Sequence, residues 1–307
     1  MTADGPGPRG RLMAWLGRLA ALLAVAGLAW ALVRGWSQVR SHDWHPDALP
    51  LTGCVVALVC FYLLSGAGYV ATVEAIGSRR APRRGVLAAW AVSLLGRYVP
   101  GSVVMVVGRM ELSRRLGVSR GVTVAAMAYE QVLSLAAAAA GGAVFVLVYG
   151  RLGPAWLSWL VVLVPLALLA LHPRVMAPVT AWPVRAPARP PLPAVVPMRR
   201  VLGLVAAYAV AAVLLGLGTW LFVRGLGGVD AGGPGFVGSA FLFAVAVSLL
   251  AVVVPSGLGV RDGAFAVALT QHVPGGVAVA LSVGSRLALT LVELAVVGAT
   301  AFWARRA

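Results

Sequence analysis

Apolar residues in this chain run in long blocks. A hydrocarbon core about 30 Å thick needs about 20 consecutive apolar residues of helix, and blocks of that order cover residues 14–33, 51–72, 122–149, 155–171, 201–223 and 276–300. Each is expected to cross as a helix, because lipid offers the backbone no partner but itself; the block 155–171 is the shortest. Two further apolar regions, 86–108 and 236–270, are interrupted by Pro100 and Gly101 and by Pro255, Gly257 and Gly259. Proline removes a backbone donor and glycine loosens a helix, so both regions are expected to break into half-helices. Residues 172–200, counted with Pro165, hold nine of the 19 prolines, together with five arginines and no acid. They read as a cytoplasmic linker between two halves, 14–171 and 201–303, of a single membrane domain spanning 1–307. The predicted fold class is an all-α polytopic membrane protein with about six full spans plus two re-entrant, Pro/Gly-broken helical hairpins.

Composition narrows the class further. Hydrophobic residues make up 61% of the chain and charged ones 11%, against roughly a quarter charged in soluble domains. The basic excess consists of 25 arginines and no lysine against nine acids. No soluble domain exists to present that charge to nucleic acid, so it is expected to mark loops facing the cytoplasm. Cys54 and Cys60 lie six apart in one apolar block, on different faces of a helix, and no disulfide is expected. The N-terminal apolar block lacks a small-residue cleavage pattern and is expected to be a retained span.

Arginine placement discriminates between topologies. Clusters occur at Arg9, Arg11 and Arg18, at Arg79, Arg80, Arg83 and Arg84, at Arg109, Arg114, Arg115 and Arg120, along the linker, and at Arg305 and Arg306. Eight full crossings would put the third cluster and the linker outside, against the positive-inside rule. If each interrupted region enters and returns on one side, all five clusters lie inside and both termini are cytoplasmic. The outer loops then keep only Arg34, Arg40, Arg151 and Arg224. The segment 86–108 would enter from the cytoplasm and 236–270 from outside. Ala91–Ser102 (AVSLLGRYVPGS) and Ala246–Gly257 (AVSLLAVVVPSG) agree at seven of 12 positions with their prolines in register. Opposite entry sides and a shared motif describe an inverted repeat, a common transporter architecture.

Charges inside apolar segments carry the chemistry, since each is costly at mid-membrane. Arg97, Arg261 and Arg286 face an equal number of acids, Glu130, Asp262 and Glu293. Two readings stay open: three ion pairs that hold helices together, or a cavity where arginines, Arg109 included, bind an anionic group. The planar guanidinium fork suits phosphate, and helix ends freed at the breaks add N–H donors. Arg286 and Glu293, seven apart, share a helix face, as do Glu130 and Ser134. The loop SHDWHPD offers His42, Asp43, His45 and Asp47 as weak metal ligands, but Trp36 and Trp44 make an interfacial belt the better reading. There is no Cys/His cluster, no H-E-x-x-H, no serine nucleophile motif and no P-loop lysine in PSGLGVRDG. No metal, cofactor or catalytic residue is expected.

Taken in order, GRYVPGSVVMVVGRMELSRRLGVS, AAMAYEQVLSL, PSGLGVRDGAFAVAL and SRLALTLVELAVVG resemble the lysylphosphatidylglycerol synthase transmembrane-region family, also called flippase-like. The resemblance runs from about residue 15 to 303. It implies functional positions at Arg97, Pro100, Gly101, Arg109, Glu130, Pro255, Gly257, Gly259, Arg261, Asp262 and Arg286, with Asp262 standing where the family pattern has Glu. It also implies movement of an anionic phospholipid or lipid-linked headgroup between leaflets of the cell membrane. The alternatives are a membrane enzyme acting on a lipid phosphate, or a non-transporting partner of a separate lipid synthase or glycosyltransferase. Synthase members carry a soluble aminoacyl-transferase domain that does not follow here, so lysyl transfer is not expected.

Overall fold

A computed structural model describes residues 26–27, 29–30, 33–77, 82–98, 103–150, 159–172, 174–175, 196–226, 230–250 and 259–306. Every element among them is helical. A short α1 (Trp36–Ser41) precedes α2 (Ala48–Gly77) and α3 (Arg83–Leu94), which runs into a 3-10 turn at Leu95–Tyr98. Next come α4 (Val103–Arg115), α5 (Arg120–Val144, ending in a π turn at Phe145–Tyr149) and α6 (Trp159–Ala170). The second half comprises α7 (Met198–Gly225), α8 (Pro234–Leu250), α9 (Val260–Leu269) and α10 (Gly275–Arg305).

Four helices, α2, α5 with its π turn, α7 and α10, hold 28 to 31 residues and are long and apolar enough to cross a membrane. At 1.5 Å per residue each rises about 42 Å or more, beyond the hydrocarbon thickness. Their surface is inverted relative to a soluble bundle. On α10, Leu287, Leu291 and Leu294 are 60%, 67% and 47% exposed, whereas Ser282, Ser285 and Glu293 are buried. Apolar side chains facing out and polar ones facing in are stable only where the surroundings are hydrocarbon. This is an integral membrane protein.

Small residues set how closely the helices approach. Helices α2 and α7 run antiparallel, with Leu51 over Gly225, Leu58 over Gly218 and Tyr208 over Gly68. Where α7 crosses α8 the contact is backbone to backbone: a Cβ on Gly216 would lie 3.1 Å from the Gly238 Cα. Helix α8 also packs on α5, through Leu242 against Gly141 and Phe243 against Gly142.

Described helices flank the interruption in each of the two regions. Helix α3 has 12 residues and α4 13, so each rises about 20 Å or less and neither crosses alone. The 3-10 turn lies tightly against α4: a Cβ on Gly96 would lie 2.6 Å from the Met105 Cα. Leu116, just past α4, lies against Gly85 at the start of α3. In the second region α8 has 17 residues and α9 10. Phe236, near the start of α8, stacks on His272, just past α9, with ring centroids 4.4 Å apart. In each interrupted region, the start of the first described helix and the residues just past the second lie in contact. Arg84 lies over the Trp303 ring, which puts the base of the first region beside the C-terminal end of α10, while α9 leads directly into that helix's N-terminus.

Most of the block 14–33 lies outside the described residues, as do Pro100, Gly101, Pro255, Gly257 and most of the linker 172–200. The block 155–171 is represented by α6, 12 residues long with Pro165 inside it.

Candidate functional site

The site is built on one stripe of α10. Ser282, Arg286, Thr290 and Glu293 recur at helical spacing and stand on a single face, and both interrupted regions bring their polar groups to it. From the second region, Arg286 Nη1 donates to Asp262 Oδ2 in a short ion pair. Ser282 Oγ donates to the Asp262 carbonyl at 2.7 Å, fastening α9 to α10. Asp262 is 5% exposed and occupies the third position of α9, where its carboxylate accepts the Gly259 N–H at 3.3 Å. An acid there complements the helix dipole. Gly259 itself has φ 81°, a left-handed conformation that glycine adopts without strain.

Arg261 stands beside this pair without sharing it fully. Its Nε lies 3.6 Å from Asp262 Oδ1, too far for a hydrogen bond, and has no hydrogen-bond partner among the described residues. Its guanidinium sits 5.5 Å from the centroid of the Phe241 ring and within electrostatic range of Arg286, Tyr62 and Arg97.

From the first region, Arg97 Nη1 lies 3.3 Å from Glu293 Oε2. The same oxygen accepts the Tyr62 hydroxyl at 2.8 Å. Glu293 is 2% exposed, and its Oε1 has no hydrogen-bond partner among the described residues. Tyr98, beside Arg97, donates its hydroxyl to Thr290 Oγ1 at 3.4 Å. Arg286 and Glu293 are seven residues apart, about 10 Å along the axis, so α10 separates the two contacts while holding them on one face.

Arg109 and Glu130 form a different kind of contact. Arg109, on α4, is 1% exposed and makes a short ion pair with Glu130 on α5. Its Nε donates to Ser93 Oγ at 2.7 Å, its guanidinium sits 4.8 Å from the centroid of the Tyr69 ring, and Trp90 Nε1 donates to the other Glu130 oxygen at 2.6 Å. This arginine is enclosed on every side by its own partners and ties α4 to α2, α3 and α5. Glu111, which the sequence sets beside Arg109, pairs instead with Arg114 and Arg115 on the exposed end of α4.

Charge balance distinguishes the two clusters. Arg109 and Glu130 cancel. On the α10 stripe three guanidiniums, Arg97, Arg261 and Arg286, meet two carboxylates, Asp262 and Glu293. The excess is one positive charge, and Arg261 is the base whose nearest carboxylate is already committed elsewhere. In SHDWHPD, His45 Nε2 lies 3.0 Å from Asp43, and the backbone N–H groups of His45 and Asp47 donate to the end of α7. No group of three metal-ligating side chains occurs among the described residues.

Sequence reasoning missed Tyr62, Tyr69, Trp90 and Ser93, which hold the charged groups in place. A signal was available: a tyrosine hydroxyl or indole N–H inside an apolar block needs a partner. Fold and site together define an α-helical membrane protein in which three partly exposed arginines and two buried carboxylates gather along α10. Compared with protein-family models and with curated proteins, the chain matches none.

Proposed function

We propose that this chain is a flippase-like protein that moves an anionic phospholipid or lipid-linked headgroup between the leaflets of the cell membrane. One observation carries the assignment: three partly exposed guanidiniums share two buried carboxylates within an apolar bundle. An uncompensated buried charge is expensive, and an arriving phosphate would neutralise it with the paired hydrogen bonds that arginine is shaped to give. Asp262 is then a resident counter-ion that keeps Arg261 and Arg286 together between visits. Arg97 and Glu293 form the facing half of the same path. Arg109 and Glu130 brace the first segment and take no part in binding.

In this proposal the interrupted regions are re-entrant hairpins, an inverted pair entering from opposite leaflets, and six helices cross fully. Both termini, Ser119 and Ala188 face the cytoplasm. Opposite entry gives the site access to each leaflet in turn with no need for a nucleotide. The test is reconstitution into vesicles carrying headgroup-labelled phosphatidylglycerol or phosphatidylcholine. Faster exchange of the anionic lipid between leaflets is expected; equal rates for the two, or none above empty vesicles, overturn the proposal. Single cysteines at Ser119 and Ala188, in a variant lacking Cys54 and Cys60, should resist an impermeant thiol reagent added outside intact cells.

A further inference from the structure

The bundle carries a second feature that the buried cluster does not use. Along the C-terminal half of α2 and the N-terminal half of α7 runs an open furrow of about 860 Å³, within the roughly 300–1,000 Å³ of small-molecule clefts. Its walls are small: Ala67, Gly68, Ala71 and Ala75 on one side, Gly203 and Ala207 on the other. Tyr208 lies over Gly68, which is where the two helices come into contact. The opposite end is charged, lined by Glu74, Arg83 and Arg200. Arg83 is engaged with Glu74 through Nε at 2.7 Å and Nη2 at 3.1 Å. Arg200 is exposed and has no ion pair among the described residues, so the rim keeps one positive charge.

We infer that this furrow is a lateral seat for an anionic phospholipid, with one acyl chain against the small residues and the phosphate at Arg200. The inference rests on the translocation proposal, for which the furrow is the boarding point from the cytoplasmic leaflet. Both walls belong to helices long and apolar enough to span, and in the proposed topology the furrow opens toward lipid. Charge excludes the other occupants. The chain's own segment 176–195 contains Arg185 and Arg189 and no acid, and a second copy carries the same net charge of +16. A rim with a free arginine repels both and attracts a phosphate diester, which the guanidinium fork binds with two donors.

Lipid retention by the purified full-length protein tests this without requiring transport. Phosphatidylglycerol or phosphatidylcholine is added to the protein in detergent and bound lipid is counted by native mass spectrometry. Two variants are used: Arg200→Gln, and Gly203→Phe, at a position where a Cβ meets nothing within 4 Å. Both should fold, as judged by gel filtration and circular dichroism. Wild type should retain phosphatidylglycerol over phosphatidylcholine, and each variant should bind it about tenfold more weakly, as expected for one lost charge-assisted contact or a filled cleft. Unchanged retention in both folded variants, or a crosslink from Ala71→Cys to segment 176–195 or to a second copy, overturns the furrow. Retention that responds to both variants in a protein with no lipid exchange supports the furrow and overturns translocation alone.

Discussion

Replacing Glu130 isolates Arg109, the most enclosed charge among the described residues. Arg109 is 1% exposed, and Glu130 is its only carboxylate partner among the described residues. Breaking a buried pair from one side costs about 3–5 kcal/mol, because the remaining charge has no compensation. Glu130→Leu should fall in that range, toward its lower end because the glutamate keeps 14% of its side chain exposed. Glu130→Gln keeps one acceptor oxygen where Trp90 and Arg109 use two, so one contact is lost and the cost should be about 1.5–3 kcal/mol, the worth of a hydrogen bond to a charged group. Removing both charges in Arg109→Met/Glu130→Leu should recover most of the loss, since apolar replacement of a whole buried pair is close to neutral. Circular dichroism during unfolding in mixed detergent–SDS micelles gives the four free energies of the cycle. The expected coupling is about 2–3 kcal/mol. The bracing role fails if Glu130→Leu costs under about 1 kcal/mol, or if the double variant is as unstable as the single one. A stable double variant should also still exchange lipid, since this pair is assigned no contact with the substrate.

Three further outcomes are expected. Gly259→Ala should lose about 1–2 kcal/mol in the same unfolding assay, the cost of placing a Cβ in a left-handed conformation, because Gly259 sits at φ 81°. Gly216→Val should cost about 1–3 kcal/mol by overpacking, since its Cβ would lie 3.1 Å from the Gly238 backbone. Hydrogen bonding from Arg114 holds the Glu111 carboxyl at about 2, below its ordinary 4.5. Its folded value lies below the unfolded one, so its contribution is whole above about pH 4.5 and fades as pH falls toward 2. Comparing melting temperatures of wild type and Glu111→Gln across that window should show the difference shrinking with acid. It should also shrink in high salt, because the group is exposed and screened.

Much of the architecture was legible in the sequence. Long apolar blocks locate α2, α5, α7 and α10 because bilayer thickness sets a minimum length for any crossing helix. Pro100 and Pro255, which interrupt the two apolar regions in the sequence, lie outside the described residues, and the first region already leaves α-helix for a 3-10 turn at Leu95–Tyr98. Pairing was less legible, since it depends on which helices become neighbours. Arg109 lies two residues from Glu111 in the chain yet meets Glu130, because α4 turns one side toward α5 and the other toward the exposed end. Arg286 and Glu293 could be placed on one face from their spacing, but their partners in different interrupted regions could not be assigned. Composition could not tell a balanced ionic core from one with a surplus arginine; that distinction depends on Arg109 and Glu130 closing on each other and leaving three arginines and two carboxylates gathered at the face of α10.

Lipid exchange by the Arg261→Gln variant tests the central claim most directly. Arg261 lacks a full partner among the described residues, so removing its charge should leave the fold as stable as wild type or more so. With headgroup-labelled phosphatidylglycerol in both leaflets, a membrane-impermeant reductant added to wild-type vesicles should consume the whole signal. Vesicles carrying Arg261→Gln should lose only the outer-leaflet fraction. A folded Arg261→Gln protein that exchanges the lipid as fast as wild type contradicts the assignment of this cationic cluster to phosphate binding.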